Sequence, residues 1–399
     1  MSDPIHVQLT RRAWLAGVGL AGLVGCGRNQ PTVESLPADA PLRFPGKVPM
    51  RALNHRPPCL ETPWRYFQTD LTPNEAFYVR WHLQVLPNPI DVPSWRLRVD
   101  GHVERPAAFS LDELRRMPAE EVIAVNQCSG NSRGLFQPAL PGAQWHNGAM
   151  GNARWRGVPL RHLLERVGLK AGSVEVAFEG MDRGGLPSVP NFVKSLPVDR
   201  ARDREILVAY SMNDAPLPLL HGFPVRLVVP GWYATYWVKS LESITVLTGP
   251  CDNFWMKTAY RIPTTANAVE KPDQLAKVTV PIHRMNVRSF FTLPETLSPQ
   301  VGKPVELNGI AFDGGSGIAR VEVSTDGGTT WQAGELGPDL GRFSFRRWYW
   351  TWTPQAVGEQ RLLVRATSTT GETQPLTEGW NRAGYMRNVI EAVRLEVRA

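Results

Sequence analysis

Cysteine is scarce in this chain: four residues in 399, at positions 26, 59, 128 and 251. None belongs to a Cys-x-x-Cys pair, a haem-attachment motif or a tight Cys/His cluster, which excludes zinc, c-type haem and iron–sulfur sites built from grouped thiolates. Runs of basic residues are also missing. Lys and Arg outnumber Asp and Glu by 44 to 37, for a net charge of +7. They are dispersed and accompany no nucleic-acid motif, so the charge fits a small anionic substrate or an acidic redox partner better than nucleic acid. No apolar run reaches the roughly 20 residues that span a bilayer; the stretch 16–25 is short and interrupted by Gly17, Gly19 and Gly22. With 42% hydrophobic and 20% charged residues, disordered and fibrous classes are excluded as well.

What is present is turn chemistry and rigid aromatic surface: 35 Gly, 35 Pro and 14 Trp suit many short strands better than long helices. The length calls for two cores behind an N-terminal leader. Thr10-Arg11-Arg12-Ala13-Trp14-Leu15 ahead of the apolar stretch has the outline of a twin-arginine export signal, and Leu23-Val24-Gly25-Cys26 resembles a lipobox. The expectation is a periplasmic protein, exported already folded around a cofactor, with Cys26 as a site for a lipid tether. Three cysteines then remain, an odd number that leaves one thiol unpaired in an oxidising compartment. Cys59 and Cys251 are left open as either a disulfide or two buried thiols.

The organisation reads as a leader (1–26), a Pro-rich linker (27–63) with little chemistry, an α+β domain (64–272) and a β-sandwich domain (273–399). In the α+β part, strand-like runs at 95–101, 174–179, 224–230 and 243–247 alternate with helices at 111–117, opened by Ser110 as N-cap, and 160–167. After residue 276, strands at 305–312, 318–324 and 360–368, separated by Asp-Gly-Gly and Thr-Gly turns, indicate an immunoglobulin-like sandwich. Trp348-Tyr349-Trp350-Thr351-Trp352 would put aromatics on both faces of one strand and so ask for cover on both.

The most informative segment is Val125-Asn126-Gln127-Cys128-Ser129-Gly130-Asn131-Ser132-Arg133-Gly134. A cysteine ending an apolar run, followed by turn residues and an arginine, is presented at a strand terminus beside backbone N–H groups. That setting favours the thiolate that binds a metal or acts as a nucleophile, although a lone Cys more often simply ends a buried strand.

This segment resembles the cysteine motif of the sulfite oxidase family, and further elements follow in order over residues 74–390. Phe77-Tyr78-Val79-Arg80-Trp81-His82 resembles the family's Arg-x-His element. The stretch Gly148-Ala149-Met150-Gly151-Asn152-Ala153-Arg154-Trp155 is similar to its Gly-Ala-x-x-x-Ala-Arg-Trp stretch, and Phe178-Glu179-Gly180-Met181-Asp182 to its pterin-contacting element. His221-Gly222-Phe223-Pro224-Val225-Arg226 with Trp237-Val238-Lys239 resembles the pterin-phosphate site.

The resemblance implies a molybdenum-molybdopterin cofactor with Cys128 as the protein's metal ligand. Tyr78, Val79, Arg80, Trp81, His82, Asp182, His221, Arg226, Trp237, Val238 and Lys239 are implied around it. Arg80, His82 and Tyr260 are implied at the substrate, together with an arginine of Trp380-Asn381-Arg382-Ala383-Gly384-Tyr385-Met386-Arg387-Asn388, preferably Arg387 with Arg382 in reserve. The implied reaction is oxidation of sulfite to sulfate, with electrons passing to an external cytochrome c, since no haem-binding His-Pro-Gly-Gly loop of the cytochrome b5 kind occurs here. The sandwich is implied to form a homodimer. Two other readings stand beside this one: a sulfane-sulfur dehydrogenase or sulfoxide-type reductase on the same scaffold, and a non-catalytic tethered binding protein.

Overall fold

The computed structural model describes residues 44–294 and 296–399; the export signal and Cys26 lie outside them. Two five-stranded sheets organise the first half. One runs Ala215–Pro216, Leu207–Met212, Met150–Pro159 and Glu120–Gln127, with Arg226–Val228 also paired to Leu207–Met212. The other runs Ala107–Phe109, Leu97–Gly101, Leu241–Leu247, Glu175–Gly180 and Val193–Pro197, and within it Leu241–Leu247 lies parallel to Leu97–Gly101.

Both expected helices form. Leu111–Arg116 starts with a reciprocal capping box between Ser110 and Glu113, which satisfies N–H groups that a helix start otherwise leaves unpaired. In Leu160–Val167, Leu160, Leu163, Leu164 and Val167 are all buried. Their i, i+3, i+4, i+7 spacing places them on one stripe, each contributing on the order of 2 kcal/mol by leaving water.

The C-terminal half is a sandwich of two four-stranded sheets. One has the order Arg288–Phe291, Val305–Phe312, Arg346–Trp352, Glu335–Leu336; the other Gln332–Ala333, Ile318–Ser324, Gly358–Ser368, Glu391–Val397. Leu307, Val321, Val323, Trp348, Leu362 and Val364 fill the space between them. The architecture is therefore α+β followed by an immunoglobulin-like sandwich.

Three details differ from the sequence reading. The segment expected to be a linker up to residue 63 contains two strands, Arg51–His55 and Pro58–Glu61; the second pairs with Val79–Arg80 so that Cys59 faces Arg80. Backbone pairing, not side-chain periodicity, orders this segment, which is why a Pro-rich sequence concealed it. The aromatic strand is not apolar on both faces. Trp348, Trp350 and Trp352 pack on the sandwich core, while Tyr349 faces away and lies beneath the Arg347 guanidinium, 5.1 Å from its ring centre. Finally, the two cores interlock: Ile282, Met285, Phe290, Ile310, Phe312, Phe343 and Phe345 belong to the first core although they lie after residue 272.

Candidate active site

Cys128 follows the last residue of Glu120–Gln127, which pairs edge to edge with Met150–Pro159. Its own N–H donates to the Ala149 carbonyl (2.9 Å) and the Asn131 side chain accepts from Ala149 N (2.9 Å), so the turn is locked onto the neighbouring strand. Arg133 folds back over this turn. A Cβ at Gly130 would sit 2.5 Å from the Arg133 guanidinium, and the absence of a side chain there is what lets the arginine approach. Arg133 then donates to the Ala383 carbonyl (2.9 Å) and lies over the Tyr385 ring.

One cavity is lined by Tyr78, Arg80, His82, Cys128, His221, Arg226, Lys239 and Tyr260, together with Phe77, Asn126, Ser129, Ala234 and Thr235. An adjoining one adds Trp81, Asp182, Phe192, Trp237 and Val238, and shares Arg80, His82, Ala234 and Lys239 with the first. Among the described residues no carboxylate lines the cavity at Cys128, whereas two arginines and a lysine do. Arg226 is held by the carbonyls of His221 (3.1 Å) and Trp237 (3.0 Å) and stacks against Trp155. Lys239 donates to the carbonyls of Arg80 (2.9 Å) and Leu220 (3.2 Å). Gly222, at φ +105°, allows the close passage of the Lys239 backbone, since a Cβ there would lie 3.0 Å from its Cα.

Clustered, buried cations are costly. Burial, reinforced by Arg226, pushes the Lys239 ammonium well below its ordinary range, and burial lowers Arg226 to about 10. His221 is driven well down by burial and then by Lys47, Lys239 and Arg226. Burial raises Asp182 to about 6 against the pull of Lys239. An anion brought into this cluster would relieve Lys239 and Arg226 at once.

At the other end, the His82 ring stacks on Phe192 at 3.7 Å, and its Nε2 lies 2.6 Å from the Tyr260 hydroxyl. Burial, with Arg80 nearby, keeps His82 neutral, and burial holds Tyr260 protonated. Tyr260 adopts φ +57°, an uncommon backbone for a residue with a bulky side chain, and its ring lies parallel to Tyr385 at 5.6 Å.

Residues 82–255 match the model of the oxidoreductase molybdopterin binding domain and residues 279–398 that of the Mo-co oxidoreductase dimerisation domain. The chain is 33% identical to mitochondrial sulfite oxidase of Homo sapiens over 98% of its own length and 74% of that protein. The chain belongs to the sulfite oxidase family. It is also 32% identical to nitrate reductase [NADH] 2 of Nicotiana tabacum, over 89% of this chain and 41% of that one. The sulfane dehydrogenase SoxCD from Paracoccus pantotrophus shares the fold, with a TM-score of 0.73 and 23% identity over 96% of this chain and 94% of that one.

As a member of the sulfite oxidase family the protein uses molybdenum-molybdopterin, and the residues present fit that group. Four buried polar atoms on the cavity wall have no hydrogen-bond partner among the described residues: Asn126 Nδ2, Ser129 Oγ, Thr235 Oγ1 and Arg226 Nε. Buried polar atoms are seldom left unpaired, and a pterin rich in N, O and phosphate oxygen would satisfy them. Cys128 offers the soft sulfur ligand that suits the metal. When bound, the cofactor supplies the oxygen-atom transfer chemistry.

The sulfite oxidase resemblance thus gathers most of its implied residues on two adjoining walls. Val79 is an exception: its side chain is buried in a separate cluster with Leu60 and Trp81. Arg387, preferred from sequence as the substrate arginine, lines neither cavity. It pairs with Glu378 and with Glu391 (2.8 Å), and Glu391 also holds the buried Arg288 (2.7 Å). Arg382 is likewise engaged, forked onto Glu270 at 2.8 and 2.9 Å. A contiguous motif with two arginines does not say where each guanidinium points: Arg387 is captured by the nearby Glu378 and Glu391 and Arg382 by Glu270, 112 residues away. Asn126, Ser129 and Thr235 were not singled out, although the first two flank Cys128 in the motif that revealed it. The three described cysteines are all free thiols, Cys59 and Cys128 buried and Cys251 half-buried.

Proposed function

We propose that the protein is a sulfite dehydrogenase: it oxidises sulfite with water to sulfate, releasing two electrons and two protons, and passes the electrons to an external cytochrome c. The observation that carries this reading is the carboxylate-free, cationic cavity wall on which Arg80, His82 and Tyr260 gather beside Cys128. Sulfite is a dianion near neutral pH, and the Arg80 guanidinium, which stays charged in proteins and lines the cavity, would attract and orient it. The hydroxyl of Tyr260 and the neutral imidazole of His82 share one proton across 2.6 Å. That pair can hold or pass on a proton released at the substrate. Arg226, Lys239 and His221 would bind the anionic phosphate of the cofactor.

The test is metal content, acid-released pterin and turnover on one sample from a cofactor-competent host. Near one molybdenum per chain with sulfite-dependent reduction of cytochrome c is expected. Turnover of nitrate, a sulfoxide or a sulfane sulfur compound in place of sulfite would overturn the substrate assignment, and absence of metal would overturn the enzyme reading. We place the enzyme in the periplasm, delivered by Arg11-Arg12 and tethered by lipid at Cys26. Replacing both arginines by Lys should keep it in the cytoplasm, as cell fractionation would report.

A further inference from the structure

Lys47 has no part in the assignments above. It stands ahead of the matched molybdopterin-binding region, in the segment expected to carry little chemistry, and the next residue, Val48, is tied to the Glu75 carbonyl at 3.1 Å. Its side chain turns inward. Nζ lies 2.7 Å from the Asn74 carbonyl, 2.8 Å from the Phe77 carbonyl and 2.5 Å from Nε2 of His221. An ammonium has three N–H donors and no acceptor, and these contacts use all three.

Nε2 of His221 is then an acceptor, and a neutral imidazole that accepts at one nitrogen carries its proton on the other. A competing partner stands close by: the Asn74 carbonyl lies 3.2 Å from the same Nε2, and bonding to it would require the proton on Nε2 instead. His221 lines the cavity beside Arg226 and Lys239. Its tautomer therefore decides whether a donor or a lone pair is offered there.

We propose that Lys47 is a positioning residue of the cofactor site: by donating to Nε2 it fixes His221 with its proton on Nδ1, so that an N–H faces the phosphate of molybdopterin, and it sets a positive charge behind the ring. The inference rests on the assignment of the phosphate to His221, Arg226 and Lys239. Anion binding and the ammonium state favour each other. Burial lowers Lys47 to about 7, opposed by the exposed Glu75, and a phosphate nearby adds the charge that keeps it protonated. Without the ammonium, the Asn74 carbonyl draws the proton to Nε2, and a lone pair on Nδ1 meets an anionic oxygen.

The experiment compares holoprotein of the wild type, Lys47→Met and Lys47→Arg. It reads histidine ring 15N shifts, with His221 assigned by a His221→Gln spectrum, and the rate of pterin release, followed by fluorescence after oxidation. Wild type is expected to show Nδ1–H. Lys47→Met should show Nε2–H and release pterin about tenfold faster, the scale on which removing the partner of a ligating histidine acts; Lys47→Arg, which keeps donors, should recover both. An Nε2–H signal for His221 in the wild type overturns the proposal, and does so even if Lys47→Met fails to fold, as does release from Lys47→Met within about twofold of wild type. Absence of pterin from the wild type would instead sink the cofactor assignment and this proposal with it.

Discussion

At the scale of single residues, the site separates groups that hold the cofactor from groups that meet the substrate. Cys128→Ser exchanges a soft ligand for a hard one. Turnover should be abolished while pterin remains bound through Arg226, Lys239 and His221; pterin fluorescence and steady-state assays check this, and normal activity would refute the ligand role. Arg387 now reads as structural. Arg387→Met leaves Glu391 and Glu378 short of a cation, and breaking such a pair costs about 3 kcal/mol. A urea midpoint shift with a Michaelis constant for sulfite within about twofold of wild type is expected; a large rise in that constant at unchanged stability would return Arg387 to the substrate.

Cys128, His221, Arg226 and Lys239 were legible because each stands in a contiguous motif whose spacing survives folding. Lys47 was not, because nothing in a Pro-rich stretch marks which side chain turns inward.

At the scale of elements, strand pairing does what side-chain pattern could not announce. Pro58–Glu61 against Val79–Arg80 ties the N-terminal segment to the strand bearing Arg80, and this register involves residues with no alternating hydrophobicity. Three of the sandwich strands, expected at 305–312, 318–324 and 360–368, were readable almost to the residue, since their turns carry Gly at positive φ, as at Gly315, Gly328 and Gly371. A second tie joins the loop around residues 380–387 to the connection around residue 270. Glu270 accepts from the Arg382 backbone and side chain and from Ala276 N, and the bonds from the Arg382 side chain, with the others, hold its carboxyl at about 2, against 4.5 in an unstructured chain. Because the folded value is depressed, the stabilisation is complete above about pH 4.5 and lost as pH falls toward 2. Glu270→Gln should therefore be less stable than wild type at pH 7, and the gap should close on acidification. A gap independent of pH in chemical denaturation would contradict the ion-pair account.

At the scale of the whole molecule, the dimerisation-domain match at residues 279–398 leads to the expectation of a homodimer. Sedimentation equilibrium should return twice the chain mass, and a monomer at micromolar concentration would overturn it. Within one chain, Phe290, Phe312, Phe343 and Phe345 cross from the sandwich into the other core, and Arg288 donates to Ser132 and Asn147 beside the Cys128 turn. Neither half can melt and leave the other with a complete interior. Heating should accordingly produce a single calorimetric endotherm whose van't Hoff and measured enthalpies agree, and the sandwich cannot be excised as an independent module without exposing four phenylalanines' worth of greasy surface to the solvent.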